Sequence, residues 1–397
     1  MSHWDVCVVG GCGHVGLPLS IAFASANRRV AVYDINREAV RKVQQGKMPF
    51  MEKGAQPLLR SALRAGTLHV SEDKSVIRRS RALVIVIGTP VDEHMSPNLL
   101  MVRNALDDIL TELRDGQLLI LRSTVYPGTT QMVDRFLRSH GRRLDVAFCP
   151  ERVAEGNALK EYRELPQIVS GASARSLRRA RALFSCISKH LVETTVSEAE
   201  LAKLFTNAWR YIRFAAANQF FTLANDCGVD FFKVHEAMTH LYPRARDFAL
   251  PGFAAGPCLL KDTMQLAAFS GHHFFLGHSA MLVNEGLPDY VVRKLKEKTD
   301  LSRKTVGILG MAFKAENDDL RDSLSVKLKK LLDYECRRVL CSDEYIRDPT
   351  YVAAEKLVAS CDVVIVAAPH ARYKTLRRRD ALWVDVWNLS GRGGVLL

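Results

Sequence analysis

Cys258 closes the segment Pro251-Gly252-Phe253-Ala254-Ala255-Gly256-Pro257-Cys258, and Lys261 and Asp262 follow at once. A thiolate can add to a carbonyl carbon and hold it covalently, which a hydroxyl at neutral pH does poorly. A neighbouring cation such as Lys261 favours the thiolate, and Asp262 can act as a base or order water. Taken alone, a cysteine here is more often a small buried packing residue. Two further pairs carry suitable chemistry. Lys203 and Asn207 are four apart in a helical pattern and share a face, where they could stabilise an oxyanion or simply form a polar flank. Glu151 and Glu155 are also four apart, in a segment where paired carboxylates could direct a water or merely face solvent.

These groups need a partner that accepts electrons, and the N-terminus supplies a place for one. Gly11-Cys12-Gly13-His14-Val15-Gly16 follows an apolar strand and opens a helix. In such a turn the first glycine makes the bend and the second lets backbone approach a pyrophosphate. The third allows close helix–strand packing, with the phosphate at the helix N-terminus. Gly11, Gly13, His14, Val15 and Gly16 are therefore candidate cofactor contacts. Asp34 ends the next strand, 18 residues after Gly16. A carboxylate there accepts from ribose hydroxyls and repels a 2′-phosphate, which favours NAD over NADP. Thr89, in Gly88-Thr89-Pro90, and Thr124, in Ser123–Thr130, each follow a strand; they could hydrogen-bond the cofactor or cap their own turns.

The elements that must position these residues are legible as apolar runs. Val6–Val9, Val30–Tyr33, Leu83–Ile87 and Leu118–Leu121 alternate with helical patterns over 15–26, 36–45 and 99–113. That alternation predicts a doubly wound parallel sheet. The last hundred residues repeat it, with strands over 304–310, 338–343, 362–368 and 382–386. Between the two lies one long helix: Ser197 and Glu200 have capping-box spacing, apolar residues recur from 201 to 223, and Gly228 offers a stop. The fold expected is α/β, two Rossmann-like sheet domains joined by a long central helix. The boundaries expected are 1–196, 197–300 and 301–397.

The chain has 397 residues, enough for two or three domains, with 48% hydrophobic and 25% charged residues. The net charge of +13 is spread along the chain and comes with no nucleic-acid recognition motif; it suits an anionic small substrate. No apolar stretch reaches membrane-spanning length. The nine cysteines form no CxxC pair and no metal spacing, which together with the absence of a secretory leader pattern gives the expectation of a cytoplasmic, metal-free protein.

At this point the residues carry a family resemblance. Gly11–Gly16, Ser123–Thr130, Pro150-Glu151 with Glu155-Gly156, Ala199 through Asn207, Pro251–Thr263 and Gly310 through Ser323 occur in the order found in the UDP-glucose/GDP-mannose dehydrogenase family. The resemblance implies an NAD-dependent, four-electron oxidation of the C6 hydroxyl of a nucleotide-diphosphosugar. It implies that Cys258 is the nucleophile, and that Lys203, Asn207, Asp262 and Thr124 are polar groups of the reaction. Glu151 resembles the base of the hydrolytic step, and Glu155 a cofactor-side, water-positioning acid. The resemblance places Lys261 on the cofactor side. Gly256, Lys314 and Arg321 resemble substrate-side residues. Arg244 resembles an arginine reaching the substrate across a homodimer formed through the central helix.

The chain departs from the family pattern at Ala255-Gly256-Pro257, where Gly-Gly-Ser is usual, and at Trp387, where an arginine is common. Ala39 also stands where a basic residue is frequent. Lys261-Asp262-Thr263 resembles the UDP-glucose and GDP-mannose branches more than the N-acetylhexosamine branch; UDP-glucose, as the commonest substrate of the family, is the one expected, with UDP-N-acetylmannosamine, GDP-mannose and TDP-glucose as alternatives. A one-step alcohol or hydroxyacid dehydrogenase, and a protein that kept the fold without turnover, are the rival readings.

Overall fold

The computed structural model describes residues 4–88, 99–254 and 256–394; Thr89 and Ala255 lie outside them. The chain divides into two compact units, Met1–Thr206 and Asn207–Leu397.

The first unit is built on eight strands: β1 (Trp4–Val9), β2 (Val30–Tyr33), β3 (Leu68–Ser71), β4 (Ser80–Ile85), β5 (Leu118–Leu121), β6 (Asp145–Phe148), β7 (Gln167–Gly171) and β8 (Leu191–Glu193). Their order is β3-β2-β1-β4-β5-β6-β7-β8, parallel throughout except for the β6–β7 pair. Alternate residues of one strand feed two cores. Val6 and Val8 of β1 pack in one cluster, while Cys7 and Val9 pack in the other. Burial on both faces is why these strands read as unbroken apolar runs. The strand order reverses between β1 and β4, so their carboxyl ends open the crevice where ligands of such sheets bind.

The second unit contains four parallel strands, β9 (Thr305–Leu309), β10 (Arg338–Ser342), β11 (Val363–Val366) and β12 (Leu382–Asp385), in the order β10-β9-β11-β12. The α/β expectation with two parallel sheets holds. On one face Val306, Ile308 and Ile365 pack with Leu324 and Leu328 of helix Leu324–Glu335; on the other, Val364 and Val366 pack with Leu357 and Tyr373.

The long helix runs over 31 residues, Val196–Asp226, and the division between the units falls inside it. Its start differs from expectation. Thr195 and Glu198 form the reciprocal cap, with Thr195 N–H to Glu198 Oε2 at 2.9 Å and Glu198 N–H to Thr195 Oγ1 at 3.3 Å. Glu200, expected to close the cap on Ser197, is fully buried and accepts instead from Gly128 N–H (2.7 Å), Thr130 N–H (2.9 Å) and Thr130 Oγ1 (2.6 Å). A carboxylate at the N-terminus of helix Thr129–Ser139 satisfies orphan donors and opposes the helix dipole, which outweighs a solvent-exposed local cap. The stop at Gly228 is as expected: its φ is +69°, and Val229 N–H returns to Ala224 O at 2.9 Å.

Candidate active site

The first unit presents the dinucleotide turn as a pre-formed cradle. A Cβ on Gly16 would lie 2.5 Å from Gly11 Cα, so the glycine pair lets helix Gly16–Ser25 pack on the turn. A Cβ on Gly13 would meet nothing within 4 Å; this is the open position, where a pyrophosphate would approach. His14 stacks on Phe50 at 4.1 Å, and Val15 is the residue just before the helix. Asp34 is held at the end of β2 because its two oxygens accept from Cys12 N–H (2.8 Å) and Asn36 N–H (2.9 Å). A carboxylate fixed beside an open glycine turn fits an NAD ribose and pyrophosphate. Thr124 is buried in the loop after β5, the loop that Glu200 ties down.

Glu151 lies in a network that sequence reasoning missed. Arg122, fully buried, donates from Nε (3.1 Å) and Nη2 (2.9 Å) to Glu151 Oε2, which also accepts from Tyr162 OH. Glu151 Oε1 accepts from Arg152 N–H (2.8 Å) and Val153 N–H (3.0 Å). Arg122 further donates to Cys149 O, Pro150 O and Gln167 Oε1, and sits 4.8 Å from the centre of the Phe184 ring. Burial first, and then Glu151, push the Tyr162 phenol well above its ordinary pKa. The carboxylate expected to deprotonate water is thus already surrounded by donors. Glu155 is half-buried four residues on, beside Gly156, whose N–H is held by Glu52 at 2.9 Å. Lys203 is buried on the long helix, one turn before Asn207.

In the second unit the cysteines separate by environment. Burial pushes Cys341 up to about 12, as it does Cys7, Cys12 and Cys149 in the first unit. Cys258 and Cys227 are the two exposed cysteines, and none of the nine forms a disulfide. Cys227 follows the C-terminus of the long helix, whereas Cys258 caps the N-terminus of helix Leu259–Phe269. A helix N-terminus favours a thiolate and a C-terminus opposes one. Chemistry therefore separates two thiols that exposure does not.

Asp262, fully buried one turn into that helix, accepts from Asn207 Nδ2 at 2.6 Å and pairs with Lys261 Nζ at 3.2 Å. Asn207 and Asp262 are thus joined, with Cys258 one turn before Asp262, while Lys261 turns toward Asp262. Thr263 Oγ1 returns to Leu259 O at 2.7 Å.

The cysteine loop is moulded by two aromatic rings. A Cβ on Gly252 would lie 2.2 Å from the Trp387 ring, and one on Gly256 would lie 2.5 Å from the Phe313 ring. Gly256 has φ +108°, and its N–H reaches Asp322 O at 3.3 Å. Trp387 is itself fixed by Nε1–H to Ala367 O at 3.0 Å. Gly256 is thereby brought against the segment carrying Lys314, whose Nζ lies 5.4 Å from the Phe313 ring centre, and Arg321, whose Nε donates to both Asp319 oxygens at 3.0 and 2.9 Å. Arg244 is exposed and donates to Tyr242 OH at 2.8 Å. Gly256→Ala is expected to lower kcat/KM roughly 10²-fold by displacing the loop by about an ångström, with NAD affinity unchanged. Steady-state kinetics beside a cofactor titration check this.

Residues 4–188 match the NAD binding domain of the UDP-glucose/GDP-mannose dehydrogenase family, 197–285 its central domain and 307–392 its UDP binding domain. The chain belongs to that family, and so is an NAD-binding oxidoreductase of nucleotide sugars. It is 30% identical over 378 residues to a UDP-N-acetyl-D-mannosamine dehydrogenase of Pyrococcus horikoshii, covering 92% of this chain and 90% of the relative. The solved structure of a UDP-D-ManNAc dehydrogenase from P. horikoshii superposes with a TM-score of 0.91 at 29% identity, over 97% of this chain and 95% of that one. A UDP-glucose dehydrogenase from Pyrobaculum islandicum gives 0.89 at 29% identity with the same coverage. No helix among the described residues is long and apolar enough to cross a membrane.

Proposed function

We propose that the protein oxidises the C6 hydroxyl of a UDP-sugar to the carboxylate through a thioester on Cys258. The single observation that carries the reading is the exposed Cys258 at a helix N-terminus, one turn before an Asp262 already bonded to Asn207. The Gly11–Gly16 turn and Asp34, with Val15 and Thr124 as further contacts, would hold NAD, which would supply the hydride acceptor for each of the two oxidations at C6. Lys203, Asp262 and an ordered water take the hydroxyl proton. Cys258 Sγ then adds to the aldehyde carbon, and Lys203 with Asn207 donates to the oxyanion. After the second oxidation, water attacks the acyl carbon, the C–S bond breaks, and the thiol regains its proton.

Both Glu151 oxygens already accept within their own network, from an arginine, a phenol and two backbone N–H groups, which leaves little room for a water. The water-directing role therefore passes from Glu151 to Glu155, and Glu151 holds the loop that carries it. Gly256, Lys314 and Arg321 line the sugar-nucleotide side.

For the sugar, the P. horikoshii relative favours UDP-N-acetylmannosamine over the UDP-glucose expected from the sequence. UDP-glucose remains the second reading because of the P. islandicum structure. NADH formation from a panel of UDP-N-acetylmannosamine, UDP-N-acetylgalactosamine, UDP-glucose and GDP-mannose is expected to show the highest kcat/KM for the first. Turnover of UDP-glucose alone would reverse the choice.

The three-part division at 196 and 300 and a cytosolic setting belong to the same reading. So does a homodimer: Phe205, Trp209, Phe220 and Leu223 are 44–57% exposed and recur at helical spacing along the long helix. Arg244 would then reach the partner's substrate.

A further inference from the structure

Arg377-Arg378-Arg379 is the densest cationic run in the chain, and nothing in the oxidation uses it. In the second unit it borders a cavity of about 430 Å³ beside the edge strand β12. Arg392 borders the same cavity from the C-terminal segment, and Trp383, Phe221 and Phe232 supply aromatic wall. The volume is that of a small-ligand site. One carboxylate, Asp385, lines it, and its oxygens accept from Leu389 N–H and Ser390 N–H at 3.1 Å each. Four arginines thus border the cavity beside one carboxylate that is already engaged. Among the described residues, none of the four arginines forms an ion pair.

Their placement is built. The Arg377 guanidinium lies 4.9 Å from the Trp383 ring centre. Arg378 Nη1 is anchored to Ala359 O and Cys361 O at 2.9 Å each. Burial first, and then the charge of Arg392, pull the Arg377 guanidinium below its ordinary pKa, with Asp385 opposing the shift. Trp383 Nε1 is buried and makes no hydrogen bond. Cations that merely guarded a sheet edge against pairing would need neither the ring beside Arg377 nor the carbonyl anchors of Arg378.

We propose that this cavity binds a nucleoside polyphosphate at a site separate from the substrate. Planar guanidinium groups recognise phosphate oxygens in bidentate fashion. The excess of cations matches the charge of a di- or triphosphate, and the aromatic wall suits a base. No residue of the cysteine loop or of the 310–323 segment lines the cavity.

The test is calorimetric titration of the full-length protein with ATP and with inorganic tripolyphosphate, alone and with the UDP-sugar at saturation. Arg379 and Arg392 are exposed, so Arg379→Ser/Arg392→Ser leaves the core intact. Saturable 1:1 ATP binding is expected, weaker for tripolyphosphate, undiminished by the UDP-sugar, and about tenfold weaker or more in the double variant. The variant should keep the wild-type KM for the UDP-sugar. The proposal is overturned by absence of ATP binding to the wild type, by equal affinity in the variant, or by displacement of ATP by the UDP-sugar. It is also overturned if a short single-stranded oligonucleotide binds more tightly than ATP at the same salt concentration.

Discussion

Cys258→Ser is expected to form acid at least about 10³-fold more slowly than the wild type, while Cys227→Ser stays within about twofold. Both thiols are exposed, so accessibility alone would make them equivalent. They differ in the backbone dipoles around them. Cys258 stands where the N–H groups of helix Leu259–Phe269 converge, and Cys227 where the carbonyls of the long helix end. A serine at 258 keeps the shape of the loop, but its hydroxyl is protonated at neutral pH and cannot hold the aldehyde for the second oxidation. Acid formation measured by chromatography, beside NADH release, separates the two steps. Equal acid output from Cys258→Ser would remove the thiol from the reaction.

The largest effect on stability is expected at Arg122. Arg122→Ala leaves the buried Glu151 without the guanidinium that pairs with it, and breaking a buried pair in this way costs about 3–5 kcal/mol. For a unit of about 200 residues that corresponds to a fall in melting temperature of roughly 6–20 °C. Because the same guanidinium ties Cys149 O, Pro150 O and Gln167 together, the carboxyl ends of β5 and β6 and the start of β7 should loosen with it. Arg122→Lys retains a charge but not the fork, and should lose less. Denaturant titration of both variants and of Glu151→Gln checks the order. An Arg122→Ala protein as stable as the wild type would show that the network is incidental.

What the sequence reveals here depends on how local the cause is. Strands β1, β2 and β5 are legible because burial on both faces makes them continuous apolar runs. Strands β3 and β8 are not: His69 interrupts the first with an exposed side chain, and the second is three residues with two exposed. The dinucleotide turn, the long helix and the cysteine loop declare themselves by glycine, proline and periodicity. Glu200 was misread because its spacing from Ser197 is right for a cap, yet its partners lie 70 and 72 residues away. The Arg122–Glu151 pair joins two loops 29 residues apart, and no local spacing signals it. Trp387 is visible only as a departure from a pattern; its purpose, to pack on Gly252, needs the fold.

The central claim is that one active centre performs two oxidations without releasing the aldehyde. Its most direct measure is the ratio of NADH formed to UDP-sugar consumed, followed to completion with an aldehyde trap present. Two NADH per sugar, with the carboxylate as sole product and nothing in the trap, is the result predicted. One NADH per sugar with aldehyde captured would contradict it and make the protein a one-step alcohol dehydrogenase.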